Sequence, residues 1–286
     1  MTASTAGPDS CLRNWVASQA DCTGTWTSIE GATTAQLWKF ETAQQTFVIK
    51  AFTNPSFVGE YPDCVEHAAS AMAHVQANSE LAVPTVVGAD PTGSIAGCPV
   101  LMMTMAQGAP MVAPTRKLFD RIIDVAEQIH AIPAEGFGWT HHRYNEPNDV
   151  FAPSWFSDPG LFAELAARSA VARSDEVFIH RDFHPGNLLV RGEAVTGIVD
   201  WDYACVGPSG EDYGRTWLNL AADYGERISA VFASRAARRL DPHWVAASWL
   251  DWLPFYEDTI RIEQWGTVAE RRRFEEVGRW ITDLAR

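Results

Sequence analysis

Apolar and polar positions change rhythm partway along the 286 residues. The first third carries short apolar runs of strand length, bounded by turn residues. Residues 25–40 read as two strands around Glu30-Gly31-Ala32-Thr33-Thr34, residues 47–52 as a third, and residues 83–87 and 100–104 as a fourth and fifth. Val65, Ala68, Ala69, Met72 and Val75 keep the spacing of one helical face, so a helix opens near Pro62 or Asp63. Residues 12–20 add a short helix ahead of the strands. Gln107-Gly108-Ala109-Pro110 then breaks the composition, and beyond it the helical period takes over. Thr115 is a natural N-cap for a face of Leu118, Phe119, Ile122, Val125, Ala126 and Ile129, and Pro133 stops that helix. Residues 161–168 form a shorter helix. Ser209 caps a helix over 213–222, with Asp212 in its first turn. Asp241-Pro242 opens another, which Pro254 ends or kinks, and Thr267 to Glu270 is a capping box for the last. The pattern predicts an α+β chain with a strand-rich lobe over residues 1–105 and a mainly helical lobe over 106–286.

Three apolar runs in the second part are too short for helices: 177–179, 188–190 and 195–199. Arg191-Gly192-Glu193 is a turn signal, so the last two runs form a hairpin. Its open end carries Asn187 on one strand and Asp200 on the other. An amide oxygen and a carboxylate side by side suit a hard cation such as Mg²⁺. Asp182 sits one loop away, free to take a proton from a hydroxyl. A carboxylate base beside an Asn/Asp metal clamp is the equipment of kinase-type phosphoryl transfer. Asp182 and Asn187 as ordinary turn residues is the plainer alternative, but it leaves the spacing from His180 unexplained.

Lys50 lies in the third strand and shares a face with Val48 and Phe52. A buried ammonium without a partner costs several kcal/mol, so Lys50 either snorkels to an edge or finds an anion. A nucleotide phosphate and a glutamate on the following helix are the candidates. Glu66, in that helix's first turn, is the expected partner and Glu60 the reserve, although Asp63 to Glu66 also reads as a capping box.

Composition narrows the classes. Apolar residues make up 47% and charged residues 20%, which is globular rather than disordered. Apolar runs such as 99–103 are too short to span a bilayer, and residues 1–20 lack the basic start and apolar core of a secretory signal. The five cysteines are scattered without metal-ligand spacing, as expected of reduced thiols in a cytoplasm. A net charge of −14 argues against nucleic acid and anionic membranes as partners and suits a cationic small molecule. Near the C-terminus Trp249, Trp252, Phe255 and Tyr256 alternate with Asp251, Glu257, Asp258 and Glu263. Aromatic faces among carboxylates suit an ammonium group, and a core-facing helix with an acidic outer side has the same pattern. His141-His142 face different ways and read as surface.

His180-x-Asp182-x-His184-Pro185-Gly186-Asn187, followed by Ile198-Val199-Asp200-Trp201-Asp202, resembles the aminoglycoside phosphotransferase and choline kinase family. Arg181 departs from that pattern, which more often has Gly there. The resemblance implies a two-lobed protein-kinase-like fold using ATP or GTP with Mg²⁺, and transfer of the γ-phosphoryl group to a hydroxyl of a small molecule. It implies Asp182 as catalytic base and Asn187 and Asp200 as metal ligands. Gly31 and Thr33 fall in the nucleotide loop, Lys50 and Glu66 among the phosphate-binding residues, and Met103 and Met105 in the hinge that meets adenine. Asp202 would orient a metal-bound water or support Asp200, beside the substrate. Asp212 would hold the backbone of the catalytic loop, with His180 as structural support. Trp252, Glu257 and Asp258 are the acceptor candidates. An aminoglycoside is the expected acceptor. A metabolite such as choline, an amino sugar or another amino alcohol is the alternative, and a catalytically silent nucleotide-binding module the remaining one. The oligomeric expectation is a monomer or homodimer.

Overall fold

A computed structural model of the chain describes residues 7–30, 34–112, 115–144, 150–172, 175–253 and 268–284. The chain divides into two compact units, residues 1–108 with 196–203, and residues 109–195 with 204–286. The fold is α+β, with a five-stranded sheet in the first unit and mainly helices in the second.

The first unit opens with α1 (Ser10–Ala20), capped by the Asp9 carboxylate on the Leu12 N–H. A five-stranded antiparallel sheet follows, in the order β1 (Thr25–Ile29), β2 (Gln36–Glu41), β3 (Thr46–Ala51), β5 (Val100–Thr104), β4 (Val86–Asp90). Trp38, Phe40, Phe47, Ile49 and Met102 from the sheet bury one core with Leu12, Trp15 and Val16 of α1. Successive strand residues point to opposite faces, so Ile49 in that core turns its neighbour Lys50 to the other side of the sheet. β4 begins three residues later than the apolar run 83–87 suggests. Pro84 has no N–H for a ladder, and pairing with β5 starts at Val86 opposite Met103.

Two helices stand between β3 and β4. The sequence pattern did not give α2 (Pro55–Glu60), whose Asn54 cap accepts from the Ser56 and Phe57 amides. α3 (Cys64–Asn78) buries Cys64, Val65, Ala68, Ala71, Met72 and Val75. Asp63 makes no side-chain cap hydrogen bond, so the capping box that was the alternative reading of Asp63 to Glu66 does not form there. Residues 196–203, assigned from the sequence to the second lobe, belong to the first unit. The Ile198 N–H donates to the Ala82 carbonyl, and the Thr196 hydroxyl to that of Gln107.

In the second unit β6 (Ala109–Pro110) pairs with β8 (Leu188–Arg191), and β7 (Val177–Ile179) with β10 (Cys205–Gly207). β9 (Ala194–Ile198) carries the chain back to the first unit. The helices are α4 (Arg116–His130), capped by Thr115, α5 (Pro159–Ser169), α6 (Ser209–Tyr224), α7 (Glu226–Arg235), α8 (Pro242–Asp251), capped by Asp241, and α9 (Val268–Asp283). α6 starts at Ser209 itself. Its hydroxyl and amide bind Asp175, so Ser209 is the first helical residue and not the cap. Trp249 of α8 stacks on Phe274 of α9 at 4.4 Å and donates its indole N–H to the Phe274 carbonyl. Pro254, expected to end or kink α8, and Thr267, the first residue of the expected capping box, lie outside the described residues.

Candidate active site

In the first unit the site grows from one buried lysine. Lys50 Nζ meets Asp200 Oδ1 at 2.6 Å and Asp202 Oδ2 at 2.5 Å. Burial pulls the lysine pKa down, but the two carboxylates outweigh it and hold the ammonium above the usual lysine range. The carboxylates come from a tight turn after β9. Trp201, between them, is buried and donates its indole N–H to the Ile198 carbonyl. Asp200 has φ +68°. That left-handed conformation is uncommon for a non-glycine residue, though aspartate tolerates it better than most.

Glu66 is not the partner of Lys50; it stands exposed on α3. The reason is helical geometry. Cys64 is buried on α3, and its thiol is pushed up to about 11, first by burial and then by the Asp202 charge. Glu66 is two residues on, about 200° round the helix. Met103 lies inside the sheet, opposite Val48. The Met105 N–H donates to the Thr46 carbonyl at 3.1 Å. That amide is therefore engaged within the first unit and is not an open hinge donor, as the sequence suggested. Gly31 and Thr33 lie outside the described residues.

In the second unit the site is a loop held from below. Asp212, fully buried in the first turn of α6, accepts from the His180 N–H at 3.1 Å and the Arg181 N–H at 2.7 Å. His130, the last residue of α4, reaches the same carboxylate at 3.0 Å. One turn on, the Thr216 hydroxyl donates to the Phe183 carbonyl. These contacts fix the backbone of residues 180–183. Arg181 has φ +68°, where a glycine would sit without strain. Its guanidinium donates to the His142 carbonyl and lies 4.5 Å over the Tyr144 ring, contacts that glycine would not supply.

Above this anchor, Asp182 keeps its carboxylate 28% exposed. Asn187 closes the loop from a 3₁₀ turn at Pro185–Asn187. Its amide N–H groups donate to the Asp182 carbonyl at 2.9 Å and to Asp182 Oδ2 at 3.3 Å, which leaves Oδ1 as the atom suited to a cation. Arg215 Nε stands 3.6 Å from Asp182 Oδ1, and its guanidinium packs 5.4 Å over the Trp252 ring. Trp252, expected to face an acceptor, is thus 9% exposed and already packed against an arginine. Glu257 and Asp258 lie outside the described residues. His141, expected at the surface, is half-buried edge-on to Trp244, and its pKa falls to about 3, first through burial and then through the Arg181 charge.

Sequence reasoning missed His130, Thr216 and Arg215. Only the last two left a signal, at i+4 and i+3 from Asp212 on one helical face. It also missed a buried acid pair under the loop. Glu211 is pushed up to about 7, mainly by burial and then by Asp251, while Ser248 donates to it. The folded state therefore holds this proton more tightly than the unfolded chain. The stability it adds is full below about pH 4.5 and is lost as pH rises through about 7. Glu211→Gln should flatten that slope. In urea unfolding it should gain on the parent at pH 8 relative to pH 5, and an unchanged slope would contradict the assignment.

Oxygen ligands suit Mg²⁺, and the donor types of Asp200, an exposed carboxylate, and of Asn187, whose Oδ1 is not used by its amide N–H bonds, are of that kind. Residues 25–250 match the model of the phosphotransferase enzyme family. Solved structures with the same fold include aminoglycoside phosphotransferase APH(4)-Ia, at 15% identity over 94% of this chain and 98% of that one (TM-score 0.65). Macrolide 2′-phosphotransferase MphH from Brachybacterium faecium matches at 16% identity over 92% and 96% (TM-score 0.56). Spectinomycin phosphotransferase APH(9)-Ia, solved with ADP and spectinomycin, matches at 14% over 92% and 94% (TM-score 0.58). No curated protein sequence matches significantly. The chain belongs to the phosphotransferase enzyme family and is a small-molecule kinase. Among the described residues no helix is long and apolar enough to cross a membrane.

Proposed function

We propose that the protein transfers the γ-phosphoryl group of Mg²⁺-bound ATP to a hydroxyl of an amine-bearing small molecule, with an aminoglycoside as the first candidate. The observation that carries this is the loop at 180–187. Asp182 offers a partly exposed carboxylate, Asn187 bonds its carbonyl and side chain, and Asp212 holds the backbone of the two residues before it. In this reading Asp182 orients the acceptor hydroxyl and takes its proton. Lys50 holds nucleotide phosphates. Asp200 and Asn187 would hold Mg²⁺, which when bound neutralises charge on the phosphates. Nucleotide use gains support from the ADP complex of APH(4)-Ia with hygromycin B.

The amine follows from charge. A net −14 favours cations, and Glu257 and Asp258 follow the aromatic run from Trp249 in the sequence. Long-range attraction is screened beyond roughly 8 Å at physiological salt. ADP release should therefore be screened over aminoglycosides, macrolides, spectinomycin, choline and neutral sugars at low and high salt. An amine-bearing acceptor should give the highest kcat/KM, falling as salt rises once nucleotide KM is corrected for. Glu257→Gln and Asp258→Asn should raise only the acceptor KM. Robust turnover of a neutral hydroxyl compound, indifferent to both substitutions, would reject the cationic acceptor.

A further inference from the structure

We propose that Asp202 is the positioning residue for Lys50, in the part that a glutamate on α3 was expected to play. The proposal rests on the reading of Lys50 and Asp200 as nucleotide and metal residues. Both carboxylates touch Nζ, but their surroundings differ: the Asp200 side chain is 41% exposed and that of Asp202 5%. An exposed carboxylate can exchange a lysine for a metal ion at little desolvation cost. A buried one cannot leave its ammonium without stranding two charges in a poorly solvated site. When a metal nucleotide binds, the exposed Asp200 is the carboxylate that would turn to it, and Asp202 stays on Lys50.

The turn is built for that division. Trp201 is locked by burial and by its hydrogen bond to Ile198, so residues 200 and 202 leave a fixed point separately. On α3, Glu66 is exposed, and it is the buried Cys64 whose thiol feels the Asp202 charge. Lys50 therefore takes its alignment from residues 196–203. Moving or mutating the α3 glutamate should not disturb it.

Calorimetric titration with Mg·ADP tests this without an acceptor, in wild type, K50A, D202N, E66Q and K50A/D202N, with thermal melts to check folding. D202N should lose about tenfold or more in affinity, the scale of a charged hydrogen bond. E66Q should stay within about twofold, below the worth of an ordinary hydrogen bond. K50A/D202N should bind no more weakly than K50A, since Asp202 acts through the lysine. Wild-type affinity in D202N, additive losses in the double variant, or a loss in E66Q equal to that of K50A would each overturn the proposal. If D202N does not fold, D202E replaces it: the added methylene displaces the carboxylate, so affinity should fall, and wild-type affinity would overturn the assignment. A wild type that does not bind Mg·ADP, or a K50A that binds like wild type, would instead reject the nucleotide reading beneath it.

Discussion

Asp200→Ala should abolish phosphoryl transfer and remove the Mg²⁺ dependence of nucleotide binding. A metal on the transferring phosphate supplies several kcal/mol of charge stabilisation, so the loss in kcat should be roughly a thousandfold or more. The fold should survive, because Lys50 keeps Asp202 as counterion. Alanine at φ +68° adds a cost of roughly 1–2 kcal/mol. Asp200→Asn, which tolerates that conformation and keeps the shape, is therefore the control for charge alone. Titrating Mg²⁺ against AMP-PNP affinity in both variants is the readout. A Mg²⁺ response equal to that of the parent would remove Asp200 from the metal.

Asp182→Asn should lower kcat by about 10²–10⁴, the range for a positioned general base, and spare the nucleotide KM. The argument is local. Asn187 bonds the Asp182 carbonyl as well as its carboxylate. Asp212 holds the amides of residues 180 and 181. The loop should thus keep its place when the charge is removed. Arg215, 3.6 Å away, loses a counterion, so a modest fall in melting temperature should accompany the kinetic loss. Turnover within tenfold of wild type, measured under saturating nucleotide and acceptor, would show that Asp182 does not take the proton.

Elements with a clear period were legible in the sequence. α4 was readable from its cap and its apolar stripe, and β3 and β5 from their apolar runs. α2 was not, because six residues are too few to show a helical period; its signal was Asn54 followed by Pro55 at the first helical position. β4 was displaced because apolar content reaches back past Pro84, where a ladder cannot form. The loop chemistry of Asp182 and Asn187 lay in one contiguous motif. The anchor on Asp212 was legible only through the family resemblance. The partner of Lys50 was misread because 150 residues separate it from Asp200. Only tertiary structure brings residues 196–203 to β3, and a helical glutamate close in sequence looked the nearer choice. The Glu211 and Asp251 pair was hidden for a related reason. A carboxylate in a first helical turn reads as dipole stabilisation, and burial depends on α8 packing across α6.

The most direct measurement is of the product. The protein is incubated with Mg·ATP and a panel of amine-bearing and neutral hydroxyl compounds, and each compound is analysed by mass spectrometry for an added phosphate, with ADP measured in parallel. The account predicts a phosphate monoester on an amine-bearing compound, in step with ADP, lost when Mg²⁺ is chelated and lost in Asp182→Asn. Tight Mg·ATP binding with no phosphate on any compound of either kind would contradict it.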